Sequence, residues 1–315
     1  MLKVSYFVVQ SLTWAARPVQ TQLLFRMNII RASHLGMCFG VRDAIALALQ
    51  QSESGPLSIL GDLVHNETVL QDLRSKGVKI EHQAADISST RVMITAHGTA
   101  ARTLQDLQGR GLQVLEATCP LVHHAHRAVA ALVAAGYHPI IIGKRDHVEV
   151  RGLTGDLDAF DVVLSPEDVL QISEHPKYGV ACQTTQPIER VKHLLALIEE
   201  RFPKSEVRFV DTVCQPTKQR QTAAVALAKQ AEVVLVIGGA HSNNTHELVR
   251  TCAAHCHRVH HVQTARDLKL EWFRNASTVG ITAGTSTPDQ TIDEVELWLQ
   301  DHLKTINQGV PPVAA

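Results

Sequence analysis

Three cysteines stand at matching places in this chain. Cys38 follows the strand-like run NIIRAS (28–33), Cys119 follows LQVLE (112–116), and Cys214 follows EVRFV (206–210); each is succeeded by a helical stretch. A single buried cysteine is usually a small hydrophobe. Three at equivalent positions suit a soft metal centre instead, such as zinc or an iron–sulfur cluster. They lack the C-x-x-C spacing of a local zinc knuckle, so the fold itself must bring them together. On a four-iron cluster, three ligands would leave one iron open to a substrate.

Polar residues recur in step with the cysteines. His65 follows LSILGDLV (57–64) and His97 follows RVMITA (91–96). His147 and Glu149 follow PIIIG (139–143), and Thr184 follows GVAC (179–182). Ser242, Asn243 and Asn244 follow VVLVIG (233–238), and Ser286 follows TVGIT (278–282). From each cysteine to the first of these loops is 27, 28 and 28 residues; from that loop to the last is 32, 37 and 44. Three histidines at strand ends suit a polyanion. Glu149, the only carboxylate among these residues, reads either as a solvated loop charge or, in a cluster-lined cavity, as the natural proton donor. The Ser-Asn-Asn turn before a helix suits a phosphate, because the first N–H groups of a helix are unpaired.

The elements that must position these residues alternate. From Met27 on, short β-branched runs, which also include GVKI (77–80), FDVVL (160–164) and RVHHV (258–262), are separated by helical stretches. The clearest helices are VRDAIALALQQ (41–51), HRAVAALVAAG (126–136) and QTAAVALAKQ (221–230). Apolar runs alternating with helices read as buried parallel strands in an α/β fold. Twelve strands divide by three, and the polar residues divide the same way. The expected architecture is three pseudo-equivalent α/β units around a shared centre, with boundaries at 27–111, 112–205 and 206–300 and a tail over 301–315. Ligands of open α/β sheets bind beyond the carboxyl ends of the strands, which is where every residue named above falls. Residues 1–26 contain no Asp or Glu. They read as an extension outside the core, with Met27 as the initiator.

Composition narrows the function. The 315 residues carry 30 Lys+Arg against 31 Asp+Glu, a formal charge of −1, with 45% hydrophobic residues. That balance argues against a nucleic-acid binder held by phosphate contacts. No apolar run reaches the length of a membrane-spanning helix. Six cysteines in a chain this long are no disulfide framework, so the chain reads as a cytoplasmic protein of a reducing compartment. Cys252 and Cys256, among His255, His257, His260 and His261, could on paper bind metal, but at i, i+4 spacing they read as a helix core face. Cys182 reads as strand core. His123, His124 and His126 read as solvated or supporting residues.

These motifs, in this order and spacing, resemble the IspH/LytB family of 4-hydroxy-3-methylbut-2-enyl diphosphate reductases over about residues 27–300. The matching stretches are GMCFGV (36–41), LVHN (63–66), TAHG (95–98), EATCPLV (116–122), HVEV (147–150), QTT (183–185), VDTVCQPTKQRQ (210–221), SNN (242–244) and TAGTSTPD (282–289). The resemblance implies a trefoil of three α/β units around a [4Fe–4S] cluster ligated by Cys38, Cys119 and Cys214. It implies that His65, His97 and His147 bind the substrate diphosphate with Ser242, Asn243, Asn244 and Ser286, Asn243 standing where the family usually has Ser. Glu149 would deliver protons, and Thr184 would position the substrate hydroxyl. The implied reaction is a reductive dehydroxylation to isopentenyl and dimethylallyl diphosphate, with ferredoxin or flavodoxin as electron donor. Lys144 replaces a usual His and Val148 a usual Pro, which mark a divergent branch without removing a residue assigned to chemistry. Two rival readings are a cluster-dependent, non-redox hydratase of a related diphosphate and an iron–sulfur sensor.

Overall fold

The computed structural model describes residues 27–308, so the expectation for residues 1–26 lies outside the described residues. Twelve strands form three four-stranded parallel sheets. The first contains β2 (Ser58–Leu60), β3 (Lys79–Glu81), β4 (Arg91–Ile94) and β5 (Gln113–Glu116), in spatial order β3-β2-β4-β5. The second contains β6 (His138–Ile142), β7 (Asp161–Val163), β8 (Lys177–Cys182) and β9 (Glu206–Phe209), in order β7-β6-β8-β9. The third contains β10 (Val233–Ile237), β11 (Val259–Val262) and β12 (Thr278–Ala283), with β1 (Asn28–Arg31) as its edge strand beside β12. All three share one topology: second, first, third, fourth.

This division differs from the boundaries expected at 112 and 206. The strand before each cysteine pairs with the sheet behind it, not the one ahead: β5 lies on β4, β9 on β8, and β1 on β12. Strand pairing is a long-range choice, and the sequence around each cysteine does not carry it. Within the expected tail, residues 301–308 continue the helix α10 (Asp289–Gln308).

Each sheet is buried on both faces, as parallel sheets require. In β10, Val233, Leu235 and Ile237 pack on one side, while Val234 and Val236 pack on the other. In β6, Ile140 and Ile142 face one cluster and Ile141 the other. Fully burying each such side chain is worth about 1.5–3 kcal/mol. The covering helices are α1 (Phe39–Ser52), α2 (Glu67–Ser75), α3 (Ala101–Gly109), α4 (Pro120–Ala134), α5 (Val148–Thr154), α6 (Pro166–Leu170), α7 (Ile188–Arg201), α8 (Gln215–Ala228), α9 (Asn243–Ala253) and α10. No described helix is long and apolar enough to cross a membrane.

Candidate active site

The shared topology places the chemistry. In each sheet the first and third strands are neighbours whose connections leave in opposite directions, which opens a crevice at their carboxyl ends. His65 follows β2 and His97 follows β4; His147 follows β6 and Thr184 follows β8; Ser242 follows β10 and Ser286 follows β12. The cysteines follow the fourth strands. Cys38, Cys119 and Cys214 are the N-cap residues of α1, α4 and α8, and none uses its side chain as a cap. Each is pinned the same way by its backbone. Cys38 N–H donates to Thr285 O at 3.1 Å, Cys119 N–H to Ala96 O at 3.1 Å, and Cys214 N–H to Thr184 O at 3.0 Å. In every unit the thiol is thereby tied to the loop of the third strand.

The three imidazoles meet. Ring centroids are 4.5 Å apart for His65 and His97, 5.2 Å for His65 and His147, and 5.5 Å for His97 and His147. They border a cavity of about 40 Å³ with Ser242, Asn243, Asn244, Ser286, Thr185 and Thr285. His65 Nε2, His97 Nδ1, the side-chain amides of Asn243 and Asn244, and Thr185 Oγ1 are buried there without a hydrogen-bond partner. Orphaned donors around one cavity are costly unless a ligand satisfies them. His147 Nδ1 accepts from the Glu149 N–H at 3.1 Å, so its neutral ring carries the proton on Nε2 and offers a donor. Burial is the first cause that lowers all three pKa values, His97 well below the usual range and His147 to about 3. The cavity is thus lined by neutral imidazoles.

An outer cleft of about 670 Å³ adjoins the cavity, and His65 and His147 border both. Lys144 and Arg151 line this cleft, and neither makes an ion pair among the described residues. The lysine that replaces the family's usual histidine therefore stands on the approach to the site.

Glu149 lies deeper. It is 1% exposed, and Thr184 donates to it twice, from N–H at 2.6 Å and from Oγ1 at 3.1 Å. Those bonds favour the carboxylate, yet burial outweighs them and lifts its pKa to about 7. Its charge is felt at both Cys119 and Cys214. The Glu149–Thr184 pair thus links the histidine-lined cavity to the thiols. Thr185, not Thr184, reaches the cavity wall.

The three thiols fit a polynuclear centre better than a single ion. All six cysteines are free. Among the described residues, only His65, His97 and His147 bring three metal-ligand atoms within 4.8 Å of one another, so the cysteine trio spans more than that. Sulfurs on one tetrahedral zinc would stand about 3.8 Å apart. Gly40 makes room for Cys119, since a Cβ there would lie 2.5 Å from its Sγ. Burial pushes the Cys119 thiol up and the Cys214 thiol to about 11, a penalty that metal coordination removes by taking the proton. Cys252 and Cys256 are instead buried in apolar core, as expected, and Cys182 is fully buried. Because α9 ends at Ala253, Cys256 lies just beyond the helix and not on its face.

Several residues here were not singled out from sequence. Thr185 and Thr285 lie beside chosen residues, and only the geometry separates them. Arg190 on α7 makes a two-pronged bond to the buried Glu247 of α9, at 2.9 and 3.1 Å, and also donates to Gln186 at 3.1 Å. Gln186 bonds Gln183, which accepts from the Lys144 N–H at 3.1 Å. This chain ties the Ser242–Asn244 turn to the Thr184 and His147 loops. Arg220 is a further addition, buried beside the cysteines.

The fold defines an α/β protein of three like-folded units, with a histidine-lined polar cavity at the carboxyl ends of its strands and a free cysteine at the start of one helix in each unit. A model of the LytB protein family matches residues 29–300. The 4-hydroxy-3-methylbut-2-enyl diphosphate reductase of Geobacter sulfurreducens is 37% identical over 277 residues, 87% of this chain and 98% of that one. The reductase of the same name from Dehalococcoides mccartyi is 37% identical over 278 residues, with the same two coverages. Among solved structures, a (E)-4-hydroxy-3-methyl-but-2-enyl diphosphate reductase, described as the terminal enzyme of the non-mevalonate pathway, is 34% identical with a TM-score of 0.64; the match covers 87% of this chain and 99% of that one. The Plasmodium falciparum E-1-hydroxy-2-methyl-but-2-enyl-4-diphosphate reductase shares the fold, with a TM-score of 0.82 at 23% identity and coverages of 87% and 88%. The chain belongs to the LytB protein family.

Proposed function

We propose that this chain is a 4-hydroxy-3-methylbut-2-enyl diphosphate reductase, which forms isopentenyl and dimethylallyl diphosphate in the last step of the non-mevalonate pathway. The observation that carries the reading is the cavity bordered by His147 in which His65, His97, Asn243 and Asn244 present unpartnered polar atoms, one loop away from three free thiols. These side chains, with Ser242 and Ser286, hold the diphosphate. A cavity of about 40 Å³ has room for little more than a water, so binding enlarges it toward the outer cleft.

The donor set of Cys38, Cys119 and Cys214 suits a [4Fe–4S] cluster, which when bound delivers electrons to the substrate. The reaction breaks the C4–oxygen bond and takes two electrons and two protons; one proton leaves with the hydroxyl as water and the other ends on carbon. Glu149 holds a proton near neutral pH and supplies it, while Thr184 fixes the carboxyl and orients the hydroxyl. Ferredoxin or flavodoxin is the proposed electron donor. A cytoplasmic setting agrees with six unpaired cysteines. The sheets support the three α/β units as repeats of one fold, each closed by a strand that leads into one of the three cysteines.

Anaerobic protein with a reductant should form both products and restore a reductase-deficient cell. Product formed equally without reductant would favour the hydratase reading, and bound iron without turnover would favour the sensor. Replacing His65 or His97 by Asn should raise KM roughly tenfold to hundredfold with little change in kcat, because a hydrogen bond to a charged group is worth about 1.5–3 kcal/mol. A fall in kcat alone would remove them from diphosphate binding.

The depressed histidine pKa values make binding proton-coupled. An anion entering the cavity raises them, so the site takes up protons as it fills. Affinity for inorganic diphosphate should strengthen as pH falls. Calorimetry in two buffers of different ionisation enthalpy should register uptake; equal apparent enthalpies would remove the coupling.

A further inference from the structure

Arg220 has no carboxylate to answer it. It projects from α8 with 7% of its surface exposed. Its Nε donates to Gly36 O at 2.9 Å, and one terminal nitrogen donates to Pro216 O at 3.1 Å. Among the described residues it makes no ion pair. Both partners are neutral carbonyls: one belongs to the turn leading into Cys38, the other lies two residues after Cys214. A guanidinium taken out of water and paired only with carbonyls is unfavourable unless a negative charge stands close. The titratable groups that act on it are Cys38 and Cys214, whose thiolate forms favour its charge, and Arg42, which opposes it. Arg42 itself is exposed and paired with Asp289 at 2.9 Å.

We infer that Arg220 is the counter-charge of the three-cysteine centre, holding its negative charge in place and raising its reduction potential. The inference rests on the cluster reading of Cys38, Cys119 and Cys214. A fixed cation favours the more negative, reduced state of a nearby cluster, and net local charge is one of the quantities that set such potentials. Burial sharpens the effect, because the charge is little screened by water. Arg220 touches neither substrate nor proton path, so it is a positioning residue and not a catalytic one.

The test is a redox titration of anaerobically purified, cluster-loaded protein, followed by visible absorption or electron paramagnetic resonance and independent of turnover. Arg220→Gln should shift the potential to more negative values at normal iron content, with Arg220→Lys between it and wild type. Arg42→Gln, which removes an exposed and paired cation of the same region, should leave the potential in place. Normal iron with an unmoved potential in Arg220→Gln would overturn the inference, as would an equal shift in Arg42→Gln. Should Arg220→Gln melt like wild type but hold no iron, the Lys variant decides: retained iron supports the counter-charge and lost iron overturns it. Wild-type protein that takes up no iron would sink the cluster reading as well, which separates the two failures.

Discussion

Glu149→Gln should bind substrate as wild type does and turn over about 10²–10⁴-fold more slowly, the usual contribution of a positioned general acid. The substitution keeps the shape and can still accept from Thr184, so binding in the neighbouring cavity is preserved. What it removes is the ionisable proton. The sign of the pH dependence follows from burial, which lifts the Glu149 pKa to about 7. Below that value the side chain is protonated and competent to donate; above it the carboxylate is spent. Wild-type kcat should therefore fall as pH rises through about 7, by about tenfold per unit once the carboxylate dominates. The Gln variant should lose that limb while keeping its slow residual rate. Near-normal turnover in Glu149→Gln, or a wild-type rate that climbs above about pH 7, would place the proton elsewhere.

Serine at Cys38, Cys119 or Cys214 should abolish both the visible absorption of the anaerobic protein and its turnover. The loss should exceed about 10²-fold, because even residues that only orient metal ligands cost roughly 10–100-fold. Cys252→Ser should keep both. Its thiol points to Ala224 O at 3.9 Å within apolar core, so its cost is in stability alone. Iron analysis beside melting temperature separates the two groups. Iron lost from Cys252→Ser at an unchanged melting temperature would move the centre.

Much of this site was legible before the fold. A parallel α/β protein exposes chemistry at the carboxyl ends of its strands, so runs such as VVLVIG and GVAC announced where Ser242 and Thr184 would stand. The pairing of strands was not legible. Nothing near LQVLE says that β5 closes the first sheet and does not begin the second, since that choice is made by contacts far away in the chain. Arg220 escaped for a related reason. On a helix a lone arginine reads as a solvated face, and only the packing of α8 against the Gly36 turn buries it. Thr185 and Thr285 each stand one position from a chosen residue, Thr184 and Ser286, and only side-chain direction tells such neighbours apart.

The place of β1 carries a consequence for how the protein is made. Its register pairs Asn28 with Thr278 and Arg31 with Ile281, a separation of 250 residues along the chain (278 − 28). At about 5–20 residues per second, β1 leaves the ribosome roughly 12–50 s before the strand it must join. Until β12 arrives, the amide of Cys38 has no Thr285 carbonyl to bond. The first cysteine made is thus the last to be fixed, and on the proposed ligand set iron that arrives before β12 would meet two ordered ligands at most. With the proposed ligand set, loading follows the closing of the third sheet by β1.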